Sequence, residues 1–209
     1  MAVEAVVFDI GNVLVEWHPE AFYDAAIGAE RRQALFAEVD LHGMNAAVDL
    51  GAPLAETVAA AAARHPGWAR EIGFWHSRWI EMFAPVIPGS VAALTALRDK
   101  GVPVFALTNF GVDTLAWADR VYPFLTAFDR RFVSGALRMM KPDPAIYAAV
   151  EEGTGLSGAA LLFADDRAEN VAAAAARGWR AHLFDGPHGW IERLVAEGML
   201  NREEAERCL

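Results

Sequence analysis

The chain has 209 residues, of which 55% are hydrophobic and 22% charged, a composition typical of a globular protein with one sizeable core. Its formal net charge of −10 disfavours nucleic acid and anionic membranes as partners, because like charges repel. The single cysteine, Cys208, excludes an intrachain disulfide and a cysteine-based zinc site, and no stretch approaches the ~20 apolar residues that span a bilayer. We therefore expect a cytoplasmic protein that is a monomer or a homodimer.

Five short apolar runs predict the strands of a parallel sheet. The first, Val3–Phe8, contains an acid but no basic residue, so we interpret it as a buried strand and not as a signal peptide. The other four are Val102–Leu107, Arg131–Val133, Leu161–Ala164 and Ala181–Phe184. Helical patterns alternate with these later runs, which predicts right-handed crossovers and a doubly wound, Rossmann-like α/β sheet.

The segment from Trp17 to Met82 departs from this alternation, because it carries helical patterns and no strand pattern. The predicted helices are Glu20–Ile27, Glu30–Val39, Leu54–Arg64 and Trp68–Phe83. We therefore predict a small all-helical cap domain, a four-helix bundle at 17–85, inserted after the first strand of a core formed by 1–16 and 86–209. The i, i+4, i+8 stripe of Trp75, Trp79 and Phe83 is expected to lie in the core of this bundle. The less favoured alternative is that Trp17, Trp75 or Trp79 lines the roof of a pocket and stacks on a sugar ring.

Polar residues with chemical potential follow the predicted strands. Asp9 follows the first strand, Thr108-Asn109 the second, and Asp165-Asp166 the fourth, while Lys141 precedes the helix that leads to the fourth strand. Ligands of doubly wound sheets bind at the carboxyl ends of the strands, so these groups are expected to meet there. Carboxylates, a hydroxyl and an ammonium are the groups that phosphoryl transfer uses.

Four segments in this order, FDIGNVLV, ALTNF, MMKPDPAIY and FADDRAEN, resemble the four motifs of the haloacid dehalogenase-like hydrolases. The resemblance covers the whole chain, including the helical insertion after the first motif. The first motif is most similar to a bacterial phosphatase branch that reads Asp-x-Gly-Asn-Val and includes sugar-phosphate phosphatases. The resemblance implies hydrolysis of a small phosphorylated metabolite through an aspartyl-phosphate intermediate.

In this family pattern Asp9 is the nucleophile. Thr108 and the main-chain N–H of Asn109 bind the phosphate, and Lys141 neutralises the carboxylate and the transferring group. The main-chain carbonyl of Gly11, together with Asp9 and Asp166, ligates Mg²⁺. Asp165 is implied as an outer or second metal ligand. Asn170, one turn further along, is expected either to brace Lys141 or to lie on a helix surface.

Gly11 is a departure from the family pattern. Most phosphatases of the family have a second Asp at this position, two residues after the nucleophile, where it acts as general acid and base. Loss of such a group typically costs about 10²–10⁴-fold in rate. Either another group takes this role, with His18 the nearest candidate, or the substrate has a good leaving group, as in an anomeric or acyl phosphate. His18 as a surface linker residue is the competing interpretation.

Two other functions remain open. A 2-haloacid dehalogenase would use the same aspartate without a metal, but Gly11-Asn12-Val13 and the acidic pair Asp165-Asp166 are unlike that branch. A member that binds a metabolite or regulates a partner without turnover is suggested by Gly11 alone. Retention of Asp9, together with the other motif residues, favours the phosphatase.

Overall fold

The computed structural model describes residues 2–209, which form one five-stranded parallel sheet, a two-stranded antiparallel ribbon and the helices packed around them. The strands are β1 Ala5–Phe8, β2 Val15–Trp17, β3 Phe83–Val86, β4 Val104–Thr108, β5 Arg130–Val133, β6 Leu161–Asp165 and β7 Arg180–Leu183. The helices are α1 Pro19–Ile27, α2 Ala29–Glu38, α3 Leu41–Asp49, α4 Leu54–Arg64, α5 Ala69–Ser77, α6 Trp79–Met82, α7 Pro88–Asp99, α8 Val112–Val121, α9 Ser134–Leu137, α10 Pro144–Thr154, α11 Ala168–Ala176, α12 Pro187–Ala196 and α13 Arg202–Glu206.

The large sheet has the strand order β5-β4-β1-β6-β7, with every neighbouring pair parallel. This confirms the predicted doubly wound α/β fold. β1, β4 and β6 are buried along their whole length, because helices cover both faces of the sheet. The order reverses around β1, so the carboxyl ends of β1, β4 and β6 lie side by side at the edge where such sheets bind ligands.

The helical segment between β2 and β3 differs in detail from the predicted four helices. It contains six helices, of which α3 was not predicted. The predicted helix Trp68–Phe83 is divided into α5 and α6 at Arg78, whose φ of −130° and ψ of 18° leave the helical region. The segments that flank these helices pair as the antiparallel ribbon, with Val15 opposite Val86 and Trp17 opposite Phe83. The division into two domains stays a prediction.

The apolar core is continuous from the sheet into the helical segment. Buried aromatic side chains connect the two parts, with Trp79 packed against Phe83 and Phe110 at ring-centroid distances of 5.3 and 5.4 Å. Trp75, Trp79 and Phe83 are all buried, as the stripe predicted, although Phe83 begins a strand. Among residues 2–209, no helix is long and apolar enough to cross a membrane.

Candidate active site

Asp9 lies immediately after β1, where the strand delivers it to the carboxyl edge of the sheet. Its backbone N–H still donates to the carbonyl of Ala164 on β6 at 2.9 Å, so the sheet fixes its position. The side chain is 7% exposed, and its Oδ1 accepts hydrogen bonds from the N–H of Ile10 and the ammonium of Lys141, both at 2.8 Å. Both of these hydrogen bonds to the buried carboxylate are therefore made to Oδ1.

Lys141 is buried between two carboxylates. Its Nζ lies 2.8 Å from Asp9 Oδ1 and 2.6 Å from Asp165 Oδ2. Burial alone would lower the pKa of Lys141, but the two carboxylates outweigh it and raise the pKa above the ordinary lysine value. The lysine is therefore a fixed positive charge beside Asp9.

Asp165, the last residue of β6, is a hub of hydrogen bonds and is completely buried. Oδ2 accepts from Lys141, while Oδ1 accepts from the N–H of Arg167 and from Asn170 Nδ2, both at 2.9 Å. Asn170 is buried on α11, so the expectation of a surface asparagine is wrong. It braces Lys141 only through their shared partner Asp165.

Asp166 is half-buried and faces the same space from the next position in the chain. Its Oδ2 accepts a hydrogen bond from Asn12 Nδ2 at 2.9 Å, and Asn12 Oδ1 in turn accepts from the N–H of Trp17 at 2.8 Å. Asn12 adopts a φ of 56°, a left-handed conformation that asparagine tolerates better than most residues. This side chain therefore joins Asp166 to the beginning of the ribbon, a role that the motif did not predict.

Three carboxylates converge at this edge of the sheet. One oxygen each from Asp9, Asp165 and Asp166 lies within 4.8 Å of the others. Burial, opposed by Lys141 and reinforced by the two neighbouring acids, raises the pKa of Asp9 to about 7. One ammonium does not neutralise three acids, and a donor set of oxygens alone suits a hard divalent cation such as Mg²⁺. The residues present therefore fit the metal that the family implies.

Thr108 and Asn109 follow β4 beside the acids. Thr108 is 1% exposed and lines the cavity above Asp9. The side chain of Asn109 clamps the backbone of Lys141, accepting from its N–H at 2.8 Å and donating to its carbonyl at 3.0 Å. Its main-chain role in phosphate binding stays a prediction. The side-chain clamp was not predicted, because nothing in the sequence links positions 109 and 141.

A cavity of about 300 Å³ lies between this edge of the sheet and the helical segment. Its floor is formed by the core residues described above. Its roof includes one face of α3, since the polar side chains of His42, Asn45 and Asp49 line it at helical spacing. None of these three residues was predicted from the sequence to line the cavity. The available signal was the helix cap Asp40, whose Oδ1 accepts from the N–H of Gly43 at 2.8 Å.

Two tryptophans correct the interpretation of the aromatic stripe. Trp17 and Trp79 line the cavity, which was the less favoured alternative for these two residues. Their rings lie 5.5 Å apart, and Trp17 also contacts the ring of Trp75 at 5.9 Å. The aromatic stripe therefore supplies both core packing and part of the roof.

His18 and Gly11 are placed differently by the structure. His18 lies at the start of α1, its side chain is 53% exposed, and its Nε2 is 2.7 Å from Glu16. The structure does not bring it to the cavity, so nothing in its position supports the predicted acid role. Gly11 does line the cavity, and a Cβ built there has no neighbour within 4 Å. There is therefore open space for a side chain at the position where the family pattern has an acid.

Comparison with known proteins identifies the same family as the four sequence motifs. Residues 3–178 match the haloacid dehalogenase-like hydrolases. A curated relative, a phosphatase of Mycobacterium tuberculosis, is 35% identical over 106 residues, which are 49% of this chain and 48% of that protein. The chain thus aligns with about half the length of that relative.

Solved structures share the fold at low identity. A HAD family enzyme of Bacteroides thetaiotaomicron has a TM-score of 0.74 at 19% identity, covering 93% of this chain and 99% of that one. The same enzyme was also solved in complex with magnesium and inorganic phosphate. An L-2-haloacid dehalogenase of Xanthobacter autotrophicus has a TM-score of 0.60 at 20% identity, over 98% of this chain and 87% of that one. At these identities the likeness concerns the fold.

Proposed function

Because this chain belongs to the haloacid dehalogenase-like hydrolases, we propose that it is a Mg²⁺-dependent phosphatase of a small phosphorylated metabolite, with sugar phosphates as the favoured class. The observation that carries the proposal is the arrangement around Lys141, which touches both Asp9 and Asp165 while Asp166 stands beside them. A nucleophile, a fixed cation and a set of hard oxygen ligands are thereby combined at one end of the cavity.

Asp9 is suited to attack phosphorus because of how its two oxygens are used. In the described part of the chain, both hydrogen bonds to this carboxylate go to Oδ1. Oδ2 is left to form the bond to phosphorus, giving an aspartyl-phosphate that water then hydrolyses. Lys141 holds the carboxylate in one rotamer and balances the negative charge of an arriving phosphate.

The remaining core residues bind and orient the transferring group. Thr108 at the end of β4 offers a buried hydroxyl, and the main-chain N–H of Asn109 is the second proposed donor to phosphate oxygens. Asp9, Asp166, the Gly11 carbonyl and, directly or as an outer partner, Asp165 would hold the Mg²⁺. The cation, when bound, supplies Lewis-acid stabilisation of the phosphoryl oxygens.

The roof of the cavity supports a polar, compact substrate. Its volume of about 300 Å³ is at the small end of ligand pockets. The α3 residues offer an imidazole, an amide and a carboxyl group, which suit the hydroxyl groups of a sugar. Trp17 and Trp79 offer aromatic surface beside them. The mycobacterial relative is named a phosphatase, and the Bacteroides enzyme binds magnesium with phosphate, which supports the reaction class.

Dehalogenation is the second reaction that this fold performs, as the Xanthobacter enzyme illustrates. That chemistry displaces halide from carbon and needs no cation, whereas the three clustered carboxylates of this chain favour cation binding. Purified protein assayed on a panel of phosphate esters, with Mg²⁺ and after exhaustive chelation, separates the two. We expect hydrolysis that disappears on chelation and returns with Mg²⁺. Full activity without a metal, or activity only on 2-haloacids, would disprove the proposal.

A further inference from the structure

The position two residues after Asp9 has no acid, and the structure offers a replacement from the other side of the cavity. We propose that Asp49, at the end of cap helix α3, is the general acid and base of the reaction. This inference rests on the proposed phosphatase function. It assigns to a residue of the helical insertion a role that the motif pattern leaves empty at Gly11.

Asp49 is placed against the loop that binds phosphate in the proposed mechanism. Its side chain lines the cavity that also contains Asp9, Thr108 and Lys141. Its backbone carbonyl accepts a hydrogen bond from Ser134 Oγ at 2.5 Å, so the end of α3 is fastened to the core. The cavity that Asp9 lines is therefore also lined by an acidic residue of the helical segment.

The close packing at the end of α3 comes from glycine. A Cβ at Gly51 would lie 2.5 Å from the carbonyl oxygen of Gly135, and one at Gly111 would lie 2.5 Å from Val48 Cγ1. Gly111 follows Thr108 by three residues, so Val48 and Asp49 rest on the same loop that carries the phosphate-binding hydroxyl. This contact of backbones sets the position of Asp49 within the active site.

The environment of the carboxyl group suits proton transfer. Asn45 Nδ2 donates to Asp49 Oδ2 at 2.8 Å, which fixes the rotamer of the carboxyl group. Burial, opposed by the N–H of Gly111 and assisted by the negative charge of Asp9, raises the pKa of Asp49 to about 7. General acids and bases work best with a pKa near the operating pH.

His42 is the competing titratable group on the same helix face. Its side chain is 59% exposed, and its Nε2 lies 2.9 Å from Glu20 Oε1, so this ring nitrogen is engaged by a surface carboxylate. His18 is also exposed and paired with Glu16. Asp49 is the enclosed one of the three, and the one fastened to the core.

The proposed steps balance as follows. Asp9 attacks phosphorus while the bond from phosphorus to the leaving oxygen breaks, and that oxygen takes the proton of the Asp49 carboxyl group. Asp49, now a carboxylate, removes a proton from water as the water oxygen attacks phosphorus. The bond between phosphorus and Asp9 breaks, its electron pair returns to the Asp9 carboxylate, and phosphate leaves with Asp49 protonated again.

The test compares Asp49→Asn with wild type on two esters in the presence of Mg²⁺. A sugar 6-phosphate expels an alkoxide, which needs a proton, whereas p-nitrophenyl phosphate expels a phenolate that leaves without one. We expect kcat/KM to fall about 10²-fold or more for the sugar phosphate and to change little for the aryl ester. Because the second step also lacks its base, the variant should release a burst of p-nitrophenol, one per active site, before slow turnover.

A matched control is Asp40→Asn, the same chemical change on the same helix. Asparagine is as good a helix cap as aspartate, so both esters should retain wild-type rates. If Asp49→Asn does not fold, Asp49→Ala gives the same comparison. Equal losses on both esters, or no loss on either, would overturn the role of Asp49 and leave the phosphatase proposal intact. A wild type that hydrolyses neither ester would overturn both.

Discussion

The floor and the roof of the cavity are built differently. On the floor, buried Asp165 accepts three hydrogen bonds and Lys141 is clamped on both its side chain and its backbone. On the roof, Asn45 donates to Asp49 and accepts from Trp75 Nε1, and His42 Nε2 contacts the surface carboxylate of Glu20. The floor is thus pre-organised for one reaction, while the roof is a helix face whose side chains can be replaced individually. The proposed nucleophile and cation ligands lie at the strand ends, whereas α3 carries the proposed acid and base and, we infer, the side chains that select the substrate.

Removal of the nucleophile is the most severe test of the floor. Asp9→Asn keeps the volume of the side chain but cannot attack phosphorus, so turnover should fall about 10⁴-fold or more while the fold is retained. Steady-state kinetics on any accepted ester, with circular dichroism as the folding control, measure this. Trapping of an aspartyl-phosphate analogue with a beryllium fluoride should succeed on wild type and fail on the variant. Retained activity would remove Asp9 from its role.

Loss of Lys141 tests whether the floor is held by charge. Lys141→Met leaves Asp9 and Asp165 buried without their cation, which should lower the unfolding free energy by about 3–5 kcal/mol. Thermal melts should show a fall of ~2–4 °C per kcal/mol. The control Lys100→Met removes a more exposed ion pair with Glu204, for which we expect at most about 1 kcal/mol. Equal shifts for the two variants would contradict the buried charge network.

A double variant tests whether an acid on the floor, at position 11, can replace the proposed acid on the roof, Asp49. Gly11 does not adopt a left-handed φ, and a Cβ there meets no atom within 4 Å, so aspartate fits without strain. In the Asp49→Asn background, Gly11→Asp should restore hydrolysis of a sugar 6-phosphate by about 10-fold or more, because the proton donor returns from the floor side. The kcat/KM of the double variant measures this. No recovery would mean that the lost function was not proton transfer.

The pH dependence of the free energy of unfolding should reveal the buried carboxyl group of Asp49 on the roof. Because burial raises the pKa of Asp49 from 3.8 to about 7, the folded chain binds a proton that the unfolded chain releases between these values. The Asp49 carboxyl group therefore lowers the free energy of unfolding of wild type as pH rises from 4 to 8. Asp49→Asn lacks this contribution. We expect the variant to gain about 1 kcal/mol relative to wild type across this range, since solvent in the cavity relaxes part of the penalty. Urea unfolding at both pH values measures the difference, and a constant difference would refute the assignment.

The smallest effect is expected at His18. Since its exposed side chain lies outside the cavity, His18→Ala should leave kcat/KM for alkyl and aryl phosphates unchanged. A loss of about 10²-fold confined to alkyl esters would instead restore the role that the sequence suggested for it.

The sequence was informative where local pattern and chemistry coincide. The apolar runs before Asp9, Thr108 and Asp165 are strands, because a continuous apolar run tolerates burial on both faces. Each acid or hydroxyl directly after such a run had to lie at the same edge of the sheet. The order of four motifs then predicted the floor, and those residues do lie together in the structure.

The roof could not be predicted for two reasons. The helix α3 spans only nine residues, and the glycine at position 43 weakens the helical signal that Leu41, Met44 and Val48 give at i, i+3 and i+7. The contact that positions Asp49 is tertiary, since it depends on glycines at 51, 111 and 135 that are distant in sequence. The core interpretation was likewise favoured for Trp79, because a stripe does not reveal that part of one ring also lines a cavity.

Asn12 gives the two parts of the molecule a thermodynamic connection. It donates to Asp166 and accepts from the N–H of Trp17, so one amide is shared between the acid cluster and the strand that leads into the cap. A cation that fixes Asp166 must favour the ribbon position in which both hydrogen bonds are made. Linkage is reciprocal, so a substrate that favours the same position tightens cation binding by the same factor. The final affinities for cation and substrate would then not depend on which is added first. Each of the two, once bound, would make the other harder to remove.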